Sequence, residues 1–323
     1  MTMQATAFTP YDAKGNREDL SDYIYNIDPT ETPLMNMAGR GKATNTLHEW
    51  QTEALAAASS ANQQLDGDLV TTFTAVTASV RVGNYQNISR KLFAVSGSQE
   101  AVNHAGRQSE LAHVGVNKMA ELKRDMEKAA FENLAGAAGS TTVARVTAGL
   151  GAWLKTNTSI GTSGGNPTYT SGVPGAVRTD GTQRAFTETI SKAVLSSMFT
   201  AGAKLDTLFV SAFNKGVHSG FSGIATKTVD LARAGADQRA TIAGVDVYWG
   251  EFGTLKVIPS RLMRSRDAYY IDRRFISFTY LRPFFVKTPD LAFDGTAKMV
   301  LVEWGLKIHN EAAHGIAADL DTA

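Results

Sequence analysis

The sequence predicts an α+β protein, and three patterns in the 323-residue chain carry this prediction. Apolar and small residues recur with helical spacing over residues 99–135. Apolar and polar residues alternate, as they do in half-buried strands, over 69–82 and again over 276–308. Helix and strand patterns take turns over 187–272, as they do in a compact mixed unit.

The composition excludes several classes of function. Lys and Arg number 32 against 31 for Asp and Glu, so the formal net charge is +1, too low for a broad grip on DNA. The same balance permits self-association, because copies do not repel one another strongly. Without cysteine the chain forms no disulfide, thiolate metal site or cysteine nucleophile. The first residues lack signal-peptide features and no long apolar run occurs, so we expect a soluble cytosolic protein without a membrane partner.

Residues 1–45 are predicted to form an arm with little core of its own. A short helix is predicted only at 21–27, and three prolines interrupt the segment: Pro10, Pro29 and Pro33. Three apolar anchors follow: Leu34, Met35 and Met37. We expect this arm to lie on another surface, which a neighbouring copy can supply.

Residues 46–95 are predicted to form a long two-stranded hairpin. An outgoing strand is expected at 47–51 and a β-branched returning strand at 69–82. Between them, Asp66-Gly67-Asp68 is a turn signal. A two-stranded hairpin alone is marginally stable in water, so this one requires a partner surface.

The long helix predicted over 99–135 has signals at both ends. Ser96 and Gln99 form a capping box before it, and Gly136 is the expected C′ residue after it. A coiled coil is a poor alternative, because polar or helix-weakening residues interrupt the apolar stripe: Gly106, Ser109, Gly115 and Lys123. We expect the helix to lie across a sheet, where small residues allow close approach.

The remaining elements follow in order. Residues 137–184 are rich in Gly, Ser, Thr and Asn and predict an interface loop, anchored by Trp153 and Leu154. Thr187 caps a helix that Gly202 ends, and Ile190, Val194 and Met198 share one of its faces. Further elements are expected as follows: strands at 207–210, 245–249, 254–258, 276–280 and 300–308, and a helix near 214–221. In the last strand Glu303 is expected on the polar face.

Two motifs resemble catalytic or metal sites but lack a required feature. Gly161-Thr162-Ser163-Gly164-Gly165 matches a nucleophile elbow, yet it lies among Asn, Thr, Gly and Pro without the strand and helix that expose a catalytic serine. His309 and His314 are five residues apart, whereas a zincin requires two histidines four residues apart on one helix.

Two further motifs also fall short. His104 and His113 are separated by more than two helical turns, so they cannot share a metal ion. Residues 39–44 resemble the end of a phosphate loop, but Asn36 stands where glycine is required and Ala43 where serine or threonine is required. We therefore predict no catalytic, cofactor-binding or metal-binding residue, and no enzyme.

One basic cluster stands out near the end of the mixed unit. Its members are Arg261, Arg264, Arg266, Arg273 and Arg274, with Tyr269 and Tyr270 among them. Arginine interleaved with aromatics can bind nucleic acid by phosphate pairing and stacking. Asp267 and Asp272 dilute the charge, so salt bridges within or between subunits are favoured over nucleic-acid contact.

The order of these parts resembles the major capsid proteins of tailed double-stranded-DNA phages, which share the HK-ninety-seven fold. Seven stretches resemble one branch of that family: 27–34, 49–51, 121–127, 148–154, 252–253, 281–283 and 302–306. Each stretch is weakly specific, whereas their order and spacing along most of the chain are more telling.

The resemblance implies names for the parts. They are an N-arm at 1–45, an E-loop at 46–95, a first P-domain part at 96–185 with a spine helix at 99–135, an A-domain at 186–275 and a second P-domain part at 276–323. Subunits of the family form hexamers and pentamers of an icosahedral shell that encloses double-stranded DNA, with the E-loop and N-arm over neighbours. The expected location is the virion, after assembly in the host cytoplasm.

Two departures refine this expectation. Some relatives cross-link through a lysine at the E-loop tip, whereas here the only lysine in 47–95 is Lys91, close to the helix. We therefore expect a non-covalent shell and leave room for a cement protein. The arm is too short for a cleaved scaffolding region, so a separate scaffolding protein is expected beside the portal.

Three alternatives stay open from the sequence. The first is an encapsulin-type compartment of the same fold that encloses enzymes. The second is a serine hydrolase that uses Ser163. The third is a nucleic-acid binder that uses the arginine cluster over 261–274.

Overall fold

Two sheets and one long helix organise the chain in the computed structural model, which describes residues 30–323 except 68, 70–72, 74, 104–105, 222–246 and 291–292. Predictions for 1–29, including the helix at 21–27, and for His104 and Asp68 lie outside these residues. The helices are α1 (Pro33–Met37), α2 (Gly97–Ala101), α3 (Glu110–Phe131), α4 (Leu150–Trp153), α5 (Glu188–Thr200) and α6 (Ala212–Ser219), with 3-10 turns at Arg273–Phe275 and Glu311–Ala313. None of these helices is long and apolar enough to cross a membrane.

The strands complete the architecture of the described residues. They are β1 (Gly39–Lys42), β2 (Leu47–Thr52), β3 (Val80–Tyr85), β4 (Asn87–Ser96), β5 (Thr158–Ser159), β6 (Tyr169–Thr170), β7 (Val173–Pro174), β8 (Thr207–Val210), β9 (Val247–Gly250), β10 (Gly253–Pro259), β11 (Ala268–Ile271), β12 (Ile276–Lys287), β13 (Gly295–Ile308) and β14 (Gly315–Ala317). The strands predicted at 207–210, 276–280 and 300–308 are therefore present as β8, β12 and β13.

A four-stranded sheet with the order β1-β12-β13-β4 supports α3. Strand β13 pairs antiparallel with both β12 and β4, while the short β1 joins the β12 edge in parallel. On the face toward α3, alternate side chains are buried: Ile276, Phe278, Val300, Val302, Trp304, Leu306 and Ile308. In β12 and β13 the apolar residues alternate with polar ones along the sequence, and these alternate apolar side chains form the core.

Helix α3 lies across that sheet, as the small residues on its stripe predict. Leu122, Met126 and Ala130 are buried against the sheet core. Gly115 lies over β4, where a Cβ atom would be 3.4 Å from the ring of Phe93. The close approach explains why the stripe carries glycine at a cost in helix propensity.

The helix is shorter than the predicted 99–135, and this prediction is wrong at both ends. Ser96 does cap a helix, accepting from the backbone N of Gln99 at 3.3 Å, but that helix is the short α2. Gly106 then has a φ of 74°, and Ser109 starts α3 by accepting from Ala112 N at 3.2 Å. At the other end Glu132 is extended with a ψ of 160°, so the helix stops at Phe131 before it reaches Gly136.

A six-stranded sheet with the order β5-β14-β11-β8-β10-β9 separates two cores. In β11, Tyr269 and Ile271 point into the core under α3, and Ala268 and Tyr270 point into a second core. The second core is closed by α5, through Val194, Leu195 and Met198. Every residue of β11 is buried, because the strand has a core on each of its faces.

The mixed unit follows the predicted order closely. Thr187 caps α5 by accepting from Ile190 N at 3.4 Å, and Gly202 follows its end with a φ of 86°. Strand β8 is fully buried as expected. The predicted strands near 245–258 are β9 and β10, which pair antiparallel, although 245 and 246 lie outside the described residues.

Two further strand predictions need correction. The returning strand expected at 69–82 begins only at Val80, because a two-stranded ribbon has no third strand to extend it. Glu303 is expected on a polar face but is 3% exposed. Arg145 pairs with its carboxylate, and Arg282 Nε does so at 2.7 Å, which makes the burial tolerable.

Candidate assembly surfaces

A projecting loop, residues 53–79, is the most exposed apolar feature of the described chain. It carries three large side chains that are more than nine-tenths exposed, Leu55 at 94%, Phe73 at 93% and Val76 at 92%. Its described tip turns at Asp66 and Gly67, where φ is 79°. Several large apolar side chains exposed to this degree on one loop indicate an interaction surface.

The base of the projecting loop is held by aromatic packing. Trp50 in β2 stacks on the buried Trp153 of α4 with 5.6 Å between ring centroids. Its Nε1 donates to the carbonyl of His309 at 3.2 Å. The ammonium of Lys307 lies 5.2 Å from the Trp50 ring, a cation–π contact. Trp153 and Leu154, the anchors predicted for 137–184, are buried as expected, and Trp153 also supports the base of the projecting loop.

A turn between β6 and β7 supports the loop from the other side. The backbone N of Gly83 in β3 donates to the carbonyl of Gly172 at 3.1 Å. Gly172 has a φ of 81°, and a Cβ atom there would be 2.2 Å from the backbone O of Arg81. Glycine is required because both the backbone conformation and the close contact exclude a side chain.

The position of α1, the first described helix, is fixed by Glu127 of α3. Its carboxylate is fully buried and accepts from the backbone N atoms of Leu34 at 2.7 Å and Met35 at 2.8 Å. These are the first free N–H groups of α1, so Glu127 caps a helix on another part of the chain. Desolvation raises the pKa of Glu127 to about 7, and the two hydrogen bonds limit the rise.

A basic recess of about 280 Å³ lies on the face of the four-stranded sheet opposite α3. Ser277 and Thr279 form part of its floor, since they alternate with the core-facing Ile276 and Phe278. Five cationic side chains line it: Arg40, Lys42, Arg273, Arg274 and Lys307. His48 and His309 complete the polar lining, and neither Asp nor Glu is among the described lining residues.

Most of the charge in the basic recess is uncompensated. Arg274 pairs with Asp272 at 2.6 Å, and Arg273 lies 3.6 Å from Asp206. Within the described chain, no carboxylate lies within ion-pair distance of the other three cations. Burial, followed by the charge of Lys307, lowers the pKa of both His48 and His309. The recess is therefore a place where positive charges repel one another.

The arginines at 264 and 266 serve a different purpose, which confirms the favoured salt-bridge prediction for them. Arg266 donates to the buried Asp319 at 2.7 Å, and Arg264 pairs with Asp180 at 2.6 Å. Asp319 also accepts from the backbone N atoms of Gly161 at 2.9 Å and Gly181 at 2.8 Å. This buried carboxylate therefore holds the glycine-rich segment against the six-stranded sheet.

The structure does not support the nucleic-acid alternative for this cluster. Stacking requires accessible rings, but Tyr269 and Tyr270 are both fully buried in β11. Tyr269 donates to the carbonyl of Phe131 at 2.9 Å, and Tyr270 donates to Ser191 at 2.9 Å. The aromatic residues of the cluster belong to the two cores.

The sequence motifs that resembled chemical sites lie apart from one another. Ser163 has a φ of 65° in a turn closed by Gly164 N and Gly161 O at 3.1 Å, with no helix after it. His309 is 3.0 Å from the hydroxyl of Ser277 through Nε2, and His314 accepts at Nδ1 from Asp272 N at 3.3 Å. Among the described residues no group of three His, Asp or Glu is arranged to hold a metal ion. Residues 39–42, part of the phosphate-loop candidate, form the edge strand β1.

A family model described as SU10 major capsid protein matches residues 3–321. The chain belongs to this family. A curated relative, the major capsid protein of Escherichia phage Phieco32, is 31% identical over 123 residues, which are 38% of this chain and 35% of that protein. The chain thus matches about a third of that relative's length.

Solved structures of low sequence identity share the fold of this family member. The capsid of Cyanophage A-1(L) has a TM-score of 0.66 at 13% identity and covers 97% of this chain and 99% of its own. Microbacterium phage Oxtober96 has a TM-score of 0.60 at 12% identity, with 97% and 99% covered. The capsid of a native GTA particle has a TM-score of 0.58 at 14% identity, with 97% and 98% covered. The predicted α+β phage capsid fold and family are confirmed, and the encapsulin alternative is not favoured.

Sequence reasoning missed three features that organise this capsid protein. Glu127 follows Met126 beside the apolar stripe of α3. A carboxylate next to buried residues indicates a hydrogen-bond acceptor, because buried polar groups have hydrogen-bond partners. Asp319 has no comparable local signal, because its backbone partners Gly161 and Gly181 lie about 140 to 160 residues away in the chain. The basic recess is likewise assembled from separate segments, around 40, 273 and 307.

Proposed function

We propose that the chain assembles into the hexamers and pentamers of an icosahedral phage head that encloses double-stranded DNA. In this proposal residues 1–45 are the N-arm, 46–95 the E-loop, 96–185 and 276–323 the P-domain, and 186–275 the A-domain. Helix α3 is the spine of the P-domain, since it lies across the sheet made by β4, β12 and β13. The A-domain range contains α5, α6 and β8–β11.

The projecting loop is the single observation that carries this proposal. Leu55, Phe73 and Val76 are exposed by more than nine-tenths in one chain. Burying one such side chain contributes about 1.5–3 kcal/mol, so contact with a neighbouring copy would stabilise an assembly considerably. Each loop limb can reach up to ~45 Å at about 3.3 Å per residue, far enough to cover a second subunit.

The proposed shell is held by non-covalent contacts. Lys91, the lysine within 46–95, lies in β4 and pairs with Asp125 of α3 at 2.6 Å. It is thus engaged at the sheet, away from the loop tip. Many modest contacts then replace covalent links, and a separate cement protein can add to them. The Phage G structure, which matches this fold with a TM-score of 0.54, holds decoration proteins beside its capsid proteins.

The expected partners follow from the same role. A separate scaffolding protein guides shell closure, and a portal occupies one vertex. The protein acts in the virion after assembly in the host cytoplasm, without enzymatic activity. The chain does not bind DNA sequence-specifically, and its near-zero net charge of +1 suits a wall that encloses DNA without adhering to it.

The decisive experiment is negative-stain electron microscopy of the purified full chain over a series of concentrations and salt levels, with light scattering in parallel. Closed shells, or rings of five and six, support the proposal. A strictly monomeric protein at high concentration, even with its scaffolding protein supplied, contradicts it. DNA protected from nuclease in particles purified from infected cells separates a phage head from an enzyme compartment.

A further inference from the structure

The basic recess has an excess of positive charge that the described chain does not neutralise. After the pairs of Arg273 and Arg274 with aspartates, three cations remain without a carboxylate at ion-pair distance, namely Arg40, Lys42 and Lys307. The chain as a whole is almost neutral. A matching excess of negative charge must therefore lie elsewhere on it.

The projecting loop carries such an excess. Residues 53–79 contain three acids, Glu53, Asp66 and Asp68, and neither lysine nor arginine. Glu53 and Asp66 are exposed, and a Cβ atom on Gly67 beside Asp66 would meet nothing within 4 Å. The tip thus presents negative charge that is not engaged by described residues around it.

The position of the recess favours an intermolecular contact. The projecting loop begins next to the recess, because His48 of β2 lines it and Trp50 touches Lys307. The loop then leads away, and its nearly full exposure shows that its described part does not fold back. The acidic tip and the basic recess are two different surfaces of one chain, so their contact between two copies is head-to-tail. Repeated head-to-tail contacts form a ring when the rotation from copy to copy brings the last copy back to the first.

We propose that the basic recess receives the acidic tip of the projecting loop from a second copy of this chain, with Arg40, Lys42 and Lys307 facing Asp66. The proposal rests on the proposed shell function and names the partner surface of the loop. Carboxylates entering the recess relieve the repulsion among its cations, and each contact adds a charge-assisted hydrogen bond.

Two other anionic partners are less suited to this site. Residues 12–28 of the arm contain five acids, but Lys14 and Arg17 dilute their charge. Nucleic acid requires an extended row of phosphate contacts for useful affinity, whereas the recess offers three free cations in about 280 Å³. Both alternatives are outcomes of the experiments below.

A disulfide test measures the contact directly, since the chain has no cysteine of its own. The double variant Asp66→Cys with Lys42→Cys, assembled and mildly oxidised, is expected to give a ladder of linked subunits on a non-reducing gel. Each single variant is the control and should give no ladder beyond background. Assembled particles without linked subunits overturn the proposal and leave the shell function intact.

Charge reversal tests the energetics in the full chain. Arg40→Glu with Lys42→Glu, and separately Asp66→Lys with Asp68→Lys, are expected to lower the assembled fraction at least tenfold by light scattering. Combining all four changes should restore most of it. Lys204→Glu, an exposed cation outside the recess, is the matched control and should assemble like wild type. Thermal unfolding of the dissociated variants checks that all of them fold.

The remaining outcomes discriminate the partners. If Asp19→Lys with Asp22→Lys rescues the recess variant and the loop variant does not, the arm is the occupant and the proposal fails. If recess variants assemble normally but protect less DNA from nuclease, the recess binds nucleic acid and the proposal fails. If the wild-type chain forms no assembly under any condition, the shell function itself fails, which is distinguishable from both.

Discussion

A buried carboxylate makes the contact between α1 and α3 sensitive to pH. Burial raises the pKa of Glu127 to about 7 from an ordinary value of 4.5, so between these pH values the folded chain holds a proton that the unfolded chain has lost. The contribution of Glu127 to stability therefore falls as pH rises from 4.5 to 7. We expect Glu127→Gln to flatten this part of the curve by on the order of 3 kcal/mol, measured by thermal unfolding in small pH steps.

The matched control for this variant is Glu132→Gln. Glu132 is half-buried just beyond the end of the same helix, and it accepts neither of the hydrogen bonds from Leu34 and Met35. Its stability curve should run parallel to that of the wild type. Parallel curves for Glu127→Gln as well would show that the carboxylate does not titrate in this window.

His218 combines burial with unsatisfied ring nitrogens. Its ring lies among Phe186, Phe221 and Tyr248, and neither nitrogen has a hydrogen-bond partner among the described residues. Burial lowers its pKa to about 4, so between 6.5 and 4 the unfolded chain binds the extra proton and stability falls as pH drops. We expect His218→Phe to raise the free energy of unfolding at pH 7 by about 1–2 kcal/mol and to reduce the acid loss.

His314 supplies the contrast for this prediction. It is equally buried, and its pKa is also lowered to about 4, but both ring nitrogens are engaged, Nδ1 with Asp272 N and Nε2 with the carbonyl of Phe275 at 3.2 Å. His314→Phe should therefore destabilise the protein in urea or heat unfolding. Equal effects of the two substitutions would mean that hydrogen bonding does not distinguish these sites.

The supporting turn at Gly172 is where a single methyl group should loosen the projecting loop. Alanine there combines an unfavourable φ of 81° with a contact of 2.2 Å to the backbone of Arg81. We expect Gly172→Ala to lower the free energy of unfolding by about 2–4 kcal/mol. Gly67→Ala is the matched control, because φ is 79° but a Cβ atom meets nothing within 4 Å. It should lose only about 1 kcal/mol, and similar losses for both would exclude the contact as the cause.

The elements that could be predicted from sequence are those in which the spacing of apolar residues determines which side chains are buried. Strands β8, β12 and β13 and helix α5 bury the residues that their patterns indicate. The helix expected at 99–135 fails because one apolar stripe runs through two helices, and the break depends on a cap at Ser109 and a positive φ at Gly106. The strand expected at 69–82 begins late because Leu69, Phe73 and Val76, described residues before β3, are exposed in the single chain.

The candidate assembly surfaces were less accessible to sequence reasoning than the elements. The strand and turn residues of 46–95 predict the hairpin and its need for a partner surface. The resemblance to phage capsid proteins implies that a neighbouring copy provides this surface. The basic recess and the Asp319 contacts join segments more than 100 residues apart, so no local pattern encodes them. Such sites depend on how the four-stranded and six-stranded sheets bring distant segments together.

The residues that stabilise the fold of one subunit are different from the residues proposed to contact a neighbouring subunit. Two cores meet across the six-stranded sheet and hold most of the buried apolar residues, whereas none of the described residues of 53–79 belongs to either core. Substitutions in the loop should therefore change assembly without changing the stability of one subunit. A subunit that self-associates is expected to separate the two roles in this way, because its assembly contacts form only after it has folded.

Phe73→Ser tests that separation. Because Phe73 is 93% exposed, we expect the free energy of unfolding of the dissociated subunit to change by less than about 0.5 kcal/mol. Assembly, followed by light scattering and electron microscopy, should need a several-fold higher protein concentration, since a buried aromatic contact is lost between copies. Val143→Ser, 60% exposed outside the loop, is the control and should assemble as the wild type does. If Phe73→Ser assembled normally while Val143→Ser did not, the contact surface would lie on the glycine-rich segment, and the loop would lose its place at the interface.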